Sequence, residues 1–238
     1  MTSLWGSRAR LQTLAVSREC SLASRSGKVW WPSECDVSIR PGWFYHQNED
    51  SQVKSVDSLS HIYLQTVGRN SNLLVNVPPN KDGLISDIDV ARLRAWRQHL
   101  DQIFAQNIFK DQNIVASSVR YNSPDYAANK CLDENRKTFW AAERDTTTAE
   151  LTINLKTSVQ INIVWLEEAI QYGQRIQSFR LLYENGSNWI QCFKGTTIGR
   201  SRIATFASVQ TSRFKIVIDG SLAAPTLRIV KGYYSPLL

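Results

Sequence analysis

Between residues 29 and 104 the hydrophobic pattern changes period several times, from strand-like runs to helical stripes and back. Residues 29–37 read as a strand. A helix follows at about residues 55–68, where Leu59, Ile62, Tyr63 and Val67 recur at the spacing of one helical face. LLVNV at residues 73–77 is a nearly continuous apolar run, as expected of a parallel strand buried on both faces. A second helix over residues 88–104 carries Leu93, Trp96, Leu100, Ile103 and Phe104, with Ser86 or Asp87 as its cap. Strand, helix, strand, helix in that order is two β/α units, about a quarter of an eightfold barrel. A piece of that size leaves a sheet edge open and buries its strands on one side at best.

From Asn113 the period changes for good. LTINL, INIVWLE, SFRLLYE, WIQCF, RIATF, SRFKIVI and TLRIVKGYY follow one another as β-rich runs, with turn signals such as Asn185-Gly186-Ser187 and Asp219-Gly220 between them. Short strands at regular spacing predict an all-β sandwich or jelly roll. Residues 113–235 are a comfortable length for one such domain. Residues 105–112 read as the junction.

The first 27 residues fit neither pattern. They are rich in Arg and Ser, nearly free of acids, and lack the apolar core of a secretory signal. That composition resembles an organellar transit peptide; a truncated or misassembled gene start is the stronger expectation, and the segment is left unassigned. No stretch approaches the roughly 20 apolar residues of a membrane span.

Composition adds limits. The net charge is +7, but the arginines are scattered and form no basic stripe with a groove-reading element, so nucleic acid is not an expected partner. A basic surface can still favour acidic glycans by electrostatic steering. The four cysteines (Cys20, Cys35, Cys131, Cys192) and three histidines show no metal-ligand spacing. Cys131 and Cys192 could pair in an oxidising compartment, which sequence cannot decide. Asn185-Gly186-Ser187 is a glycosylation sequon if the chain enters the secretory pathway.

The chemistry is concentrated in residues 27–46, GKVWWPSECDVSIRPGWFYH. Glu34 stands in sequence among Trp30, Trp31, Trp43 and Phe44, with Arg40, the phenol of Tyr45 and the imidazole of His46 close by. Aromatic faces stack on the C–H faces of sugars, and a carboxyl walled by apolar rings is raised in pKa, as a general acid in glycoside cleavage requires. The same residues also read as an aromatic-rich core strand with Glu34 exposed at its end. Residue types alone do not choose.

WPSECDVSIRPGWFYH, followed by VGRNSNLLVNVPPNKDGLIS at residues 67–86, resembles the end of the catalytic domain of family 29 glycoside hydrolases, the α-L-fucosidases. The resemblance runs from about Gly27 to Phe104. It implies a partial (β/α)8 barrel over residues 28–108 and hydrolysis of terminal α-L-fucose from glycans by a retaining mechanism. It also implies the acid/base role for Glu34. Trp43, Phe44, Tyr45 and His46 are then expected around the fucose, Trp43 first and His46 next. Retaining enzymes use two carboxylates about 5 Å apart. The family's nucleophile is an upstream aspartate, and here only Glu19 precedes Glu34 among carboxylates. The chain is therefore expected to be a C-terminal piece of such an enzyme, inactive alone, from a family found in lysosomes or outside cells. The motif form is closer to the branch preferring α-1,3 and α-1,4 linkages.

The second half resembles the discoidin-like (factor 5/8 type C) domain, close to family 32 carbohydrate-binding modules. The carrying residues are ASS at 116–118, CLDENRKTFWAA at 131–142, LEEAIQYGQRI at 166–176 and GTTIGRSRI at 195–203. The resemblance implies a possible structural calcium at Asp133, Asn135 and Thr138. The oxygens suit that ion, while Arg136 and Lys137 in the same loop oppose a cation, and a self-bonded turn is the alternative. Tyr121, Tyr126, Trp140 and Trp189 are candidate sugar contacts, although Trp140 and Trp189 also read as core. A non-catalytic glycan-binding or interaction module is the alternative function for the whole chain.

Overall fold

The computed structural model describes residues 33–238, and they form two compact units that divide between Gln102 and Ile103. Trp30, Trp31 and the first 27 residues lie outside the described residues.

In the first unit, strand β1 (Glu34–Ser38) pairs in parallel with β2 (Asn72–Asn76), Glu34 opposite Asn72 and Ser38 opposite Asn76. Helix α1 (Val56–Thr66) connects them, and α2 (Asp87–Ile103) follows β2. Ser55 caps α1 by accepting from the Ser58 amide at 3.1 Å. The Ser86 carbonyl accepts from the Val90 amide at 3.0 Å, the first bond of α2. The strands alternate cleanly. Ile39, Val53 and Leu59 form the core with Val75, Val77, Leu93 and Trp96 against it. On the opposite face Glu34 and Asp36 are exposed, and Leu74 is 51% exposed. LLVNV therefore buries one face among the described residues, not two. On α1 the buried positions are Leu59, Ser60, Leu64 and Thr66, whereas Ile62, Tyr63 and Val67 are only half-buried. The sheet selects a stripe rotated from the one the hydrophobic residues alone suggest.

The second unit is a sandwich. Its main sheet runs β10–β5–β8–β6–β7, all antiparallel, with β3 also on β5. The strands are β3 (Asn113–Ala116), β5 (Ala149–Glu167), β6 (Ile176–Asn185), β7 (Asn188–Gly195), β8 (Arg202–Ser221) and β10 (Ile229–Tyr233). A short pair, β4 (Trp140–Ala141) with β9 (Thr226–Leu227), lies over them. Trp140 and Leu227 share one core with Ile153, Ile161, Phe179, Phe214 and Ile218.

Two pairs of runs expected as separate strands are single long ones. LTINL and INIVWLE merge into β5, and RIATF and SRFKIVI into β8. The register slips between Asn154 and Val159 and between Ile161 and Ile163, so the pair bends through bulges without breaking. The stretch LKTSVQ at 155–160 spans the first of these slips and is not a turn. Gly186, at φ +60°, holds the first central position of the two-residue loop between β6 and β7, where such turns favour glycine.

Residues read as a junction, and Phe104 before them, belong to this unit. Phe104 meets Trp165 and Tyr233 edge-on at 5.4 and 5.2 Å, and Phe109 is fully buried. Phe109 lies over Gly232, where an added Cβ would come within 2.6 Å of its ring. Gly232→Ala is therefore expected to destabilise the second unit by about 1–3 kcal/mol, the range of overpacking in a filled core. Urea unfolding checks it, and an unchanged midpoint would show that Phe109 can move aside.

Candidate active site

The segment leaving β1 is organised by one side chain. Arg40 is completely buried. Its Nε donates to Asp89 Oδ2 at 2.8 Å, its Nη2 to Asp50 Oδ1 at 2.8 Å and its Nη1 to the His46 carbonyl at 3.3 Å. The guanidinium also lies 4.4 Å from the centre of the Tyr45 ring. Asn76, at the end of β2, donates to Ser38 Oγ at 3.1 Å and to the Trp43 carbonyl at 3.0 Å. Lys54 Nζ donates to the carbonyls of Ser38 and Arg40 at 2.6 and 3.2 Å, and burial lowers its pKa. The loop is thus tied to both strand ends and to α2.

These ties decide which aromatics are free. Tyr45 packs under Arg40, while Trp43 is 51% and Phe44 77% exposed and His46 is also exposed. Glu34 is exposed too, but it lies at the other end. It is the first residue of β1, and Asn72 Nδ2 donates to its Oε2 at 3.0 Å. Four residues at about 3.3 Å each put roughly 13 Å of strand between Glu34 and Ser38, where the loop begins. The structure therefore keeps Trp43, Phe44, Tyr45 and His46 together and does not bring Glu34 to them. Barrel enzymes react at the C-terminal ends of their strands, which is the loop's end.

Asp50 and Asp89 were not picked out from the sequence. Asp89 had a readable signal: it precedes Leu93 and Trp96 by four and seven residues, so a carboxylate occupies the apolar stripe of α2.

In the second unit Trp140 is core, its Nε1 donating to the Ser118 carbonyl at 3.0 Å. Trp189 is half-buried, and Arg213 and Lys215 stand 5.3 and 4.5 Å from its ring centre. Tyr121 is exposed and Tyr126 leans on Phe139 at 5.5 Å. Cys131 and Cys192 are free thiols, donating to the carbonyls of Ala128 and Leu181. Burial raises both, Cys192 to about 12.

In the loop expected to suit calcium, Asp133 Oδ1 accepts from the Asn135 amide at 2.8 Å and its Oδ2 from Thr138 Oγ1 at 2.7 Å. Asn135 Oδ1 accepts from the Lys137 amide at 3.0 Å. These oxygens are already used by the turn, and no buried one among them points at an empty place. As arranged, Asp133, Asn135 and Thr138 form a self-bonded Asx turn.

Residues 11–103 match the family model Alpha-L-fucosidase, and residues 113–229 match the F5/8 type C domain. The first half of the chain is similar to the α-L-fucosidases and the second half to the F5/8 type C domain. The first match begins inside the segment left unassigned from sequence. Alpha-L-fucosidase 1 of Arabidopsis thaliana is 38% identical over 205 residues, covering 84% of this chain and 40% of that protein. A Ruminococcus gnavus GH29 fucosidase solved in complex with fucose superposes with a TM-score of 0.84 at 28% identity, covering 90% of this chain and 45% of that one. The chain thus spans less than half the length of these relatives. Its architecture is part of a fucosidase barrel followed by a discoidin-like sandwich. Among the described residues no helix is long and apolar enough to cross a membrane.

Two outcomes are expected. Arg40→Met strands Asp89 as a buried, uncompensated charge, so it should cost the first unit about 3–5 kcal/mol. Amide exchange over residues 41–53 should accelerate with it, and unchanged exchange would mean the loop is held by other contacts. Millimolar calcium should leave the thermal midpoint of the second unit within about 1 °C of its value in chelator, since ligand binding to the folded state alone raises it. A rise of several degrees would assign an ion to Asp133.

Proposed function

We propose that this chain serves the removal of terminal α-L-fucose from glycans by a retaining mechanism, and that it contributes the Trp43–His46 end of the fucose site. The observation that carries this reading is the loop itself. Trp43 and Phe44 are large apolar rings held in solvent by a fully buried guanidinium, and they leave the C-terminal end of a parallel strand. Holding such rings exposed costs hydration free energy, which a sugar's C–H face would recover. The open face of β1 and β2, with Leu74 half exposed, is the face that a barrel turns toward its interior.

Glu34 as general acid/base is part of this proposal and comes from the family motif. It lies on the open face, as that role requires, and its carboxylate is reachable from solvent. In the retaining cycle it would protonate the leaving glycosidic oxygen and then activate water against the fucosyl-enzyme ester. Its place at the N-terminal end of β1 favours a second reading, in which Glu34 serves the pairing with Asn72 and another group near the loop carries the proton. Preference for α-1,3 and α-1,4 linkages is likewise a proposal from the motif form.

One set of measurements tests the fucose site and the role of Glu34. The purified chain alone is expected to release nothing from an aryl fucoside, because a retaining site needs a complete pair of carboxylates and the chain spans only 40% of the Arabidopsis relative. When this chain is joined to the upstream half of a full-length relative, Trp43→Ala should lower kcat/KM about tenfold with the fold intact. An unchanged kcat/KM would remove Trp43 from the pocket. Glu34→Gln separates the two readings of the carboxylate. Slow turnover of poor leaving groups, with rate restored by azide, assigns the acid/base to Glu34, whereas wild-type turnover assigns it to the strand pairing.

A further inference from the structure

Three arginines meet at one end of the sandwich, around an open cleft of about 470 Å³. Arg120, Arg144 and Arg175 come from three separate loops, and each lies over a tyrosine. Arg120 stands 5.5 Å from the ring centre of Tyr126, Arg144 5.0 Å from Tyr121 and Arg175 5.7 Å from Tyr172. No ion pair among the described residues includes any of the three. Arg120 Nε is buried without a hydrogen-bond partner. Arg175 is fixed by donating to the carbonyls of Tyr172 and Ala224 at 3.1 and 2.9 Å.

The nearby carboxylates are turned to other work. Glu143 accepts from the backbone amides of Tyr121 and Arg144 at 2.9 and 2.8 Å. Glu168 is fully buried and accepts from the amides of Arg175, Ile176 and Gly199, at 2.8, 3.0 and 2.6 Å. Asp145 lines the cleft yet pairs with none of the arginines. Tyr121 and Asp145 hold φ values of +54° and +63°, a left-handed backbone that side chains rarely adopt. Such conformations persist only where the surroundings impose them, and they gather at binding sites.

From this geometry we propose that the cleft binds an oxyanion-bearing sugar, a glycan unit carrying a carboxylate or a sulfate. Guanidinium groups match both oxyanions through paired N–H donors, and stacking on tyrosine holds each fork in place. The cleft has the volume of a small-ligand pocket, enough for one or two sugar rings. Leu222 and Ala223 give it an apolar wall for a ring face. Every residue lining the cleft belongs to the second unit, and the cleft would hold the chain on acidic glycans.

The test is calorimetric titration of the whole chain at low salt with glucuronate, galactose 6-sulfate, and neutral glucose and galactose. At least one acidic sugar should bind about tenfold more tightly than its neutral counterpart, and 0.5 M salt should weaken it. A preference confined to glucuronate or to galactose 6-sulfate identifies the carboxylate or the sulfate as the recognised group. Arg144→Gln, at an exposed side chain with no hydrogen bonds of its own, should lose most of that difference. Arg97→Gln, an equal change of charge on exposed α2, should lose none of it. Equal affinity for acidic and neutral sugars overturns the proposal, as does an equal effect of the two substitutions. Binding of phosphatidylserine vesicles that neither acidic sugar displaces would overturn it in favour of a lipid surface.

Discussion

A guanidinium with no access to water cannot remain charged without partners, and Arg40 draws its partners from near and far along the chain. Asp50 lies ten residues on and Asp89 forty-nine, on α2, so one side chain joins the end of β1, its loop and the second helix. Taking such an ion out of water costs several kcal/mol unless its hydrogen bonds are made, and here three are made along with a ring contact. The loop's course is therefore set by the need to satisfy Arg40. Trp43 and Phe44 are in solvent because Tyr45 and the His46 carbonyl are spent on the cation.

The sandwich uses a different constraint for a similar end. Its two longest strands, β5 and β8, bend through register slips and carry one continuous core, so the loops beyond them can take unfavourable backbone without loosening the domain. Glu168 shows how this works. Burial pushes its pKa up, and three backbone N–H groups on the loops at 175–176 and 199 pull against that shift. Its carboxylate ties the turn at Gly199 to the start of β6, and Arg175 keeps its place because its own amide is one of those donors. A rigid scaffold with variable loops at one end is the usual arrangement for a binding surface.

Much of this could be read from the chain. The change of period at Asn113 predicted a second, all-β domain, and the helices at Val56–Thr66 and Asp87–Ile103 lie where their stripes and caps put them. The sequon turn was legible because Asn-Gly-Ser between two β-rich runs has few other ways to fold. Adjacency misled where residues near in sequence lie on opposite ends of an element. Glu34 and Trp43 are nine positions apart, and five of the residues from Glu34 onward are extended strand. The junction misled for a related reason: Phe109 looks like a linker residue until Gly232, far along the chain, leaves a space for its ring.

By itself the sequence determined the class of each half, its family resemblance, and the residue types available for chemistry, because hydrophobic period and motif are properties of neighbouring positions. Tertiary structure alone decided which face of α1 is buried and that β5 and β8 run on through their polar middles. It also decided that Arg120, Arg144 and Arg175 share a cleft and that Asp133 spends its oxygens on its own turn. Each of these depends on groups distant in the chain competing for the same space or the same hydrogen bond. That competition is settled only when the core closes and water is excluded.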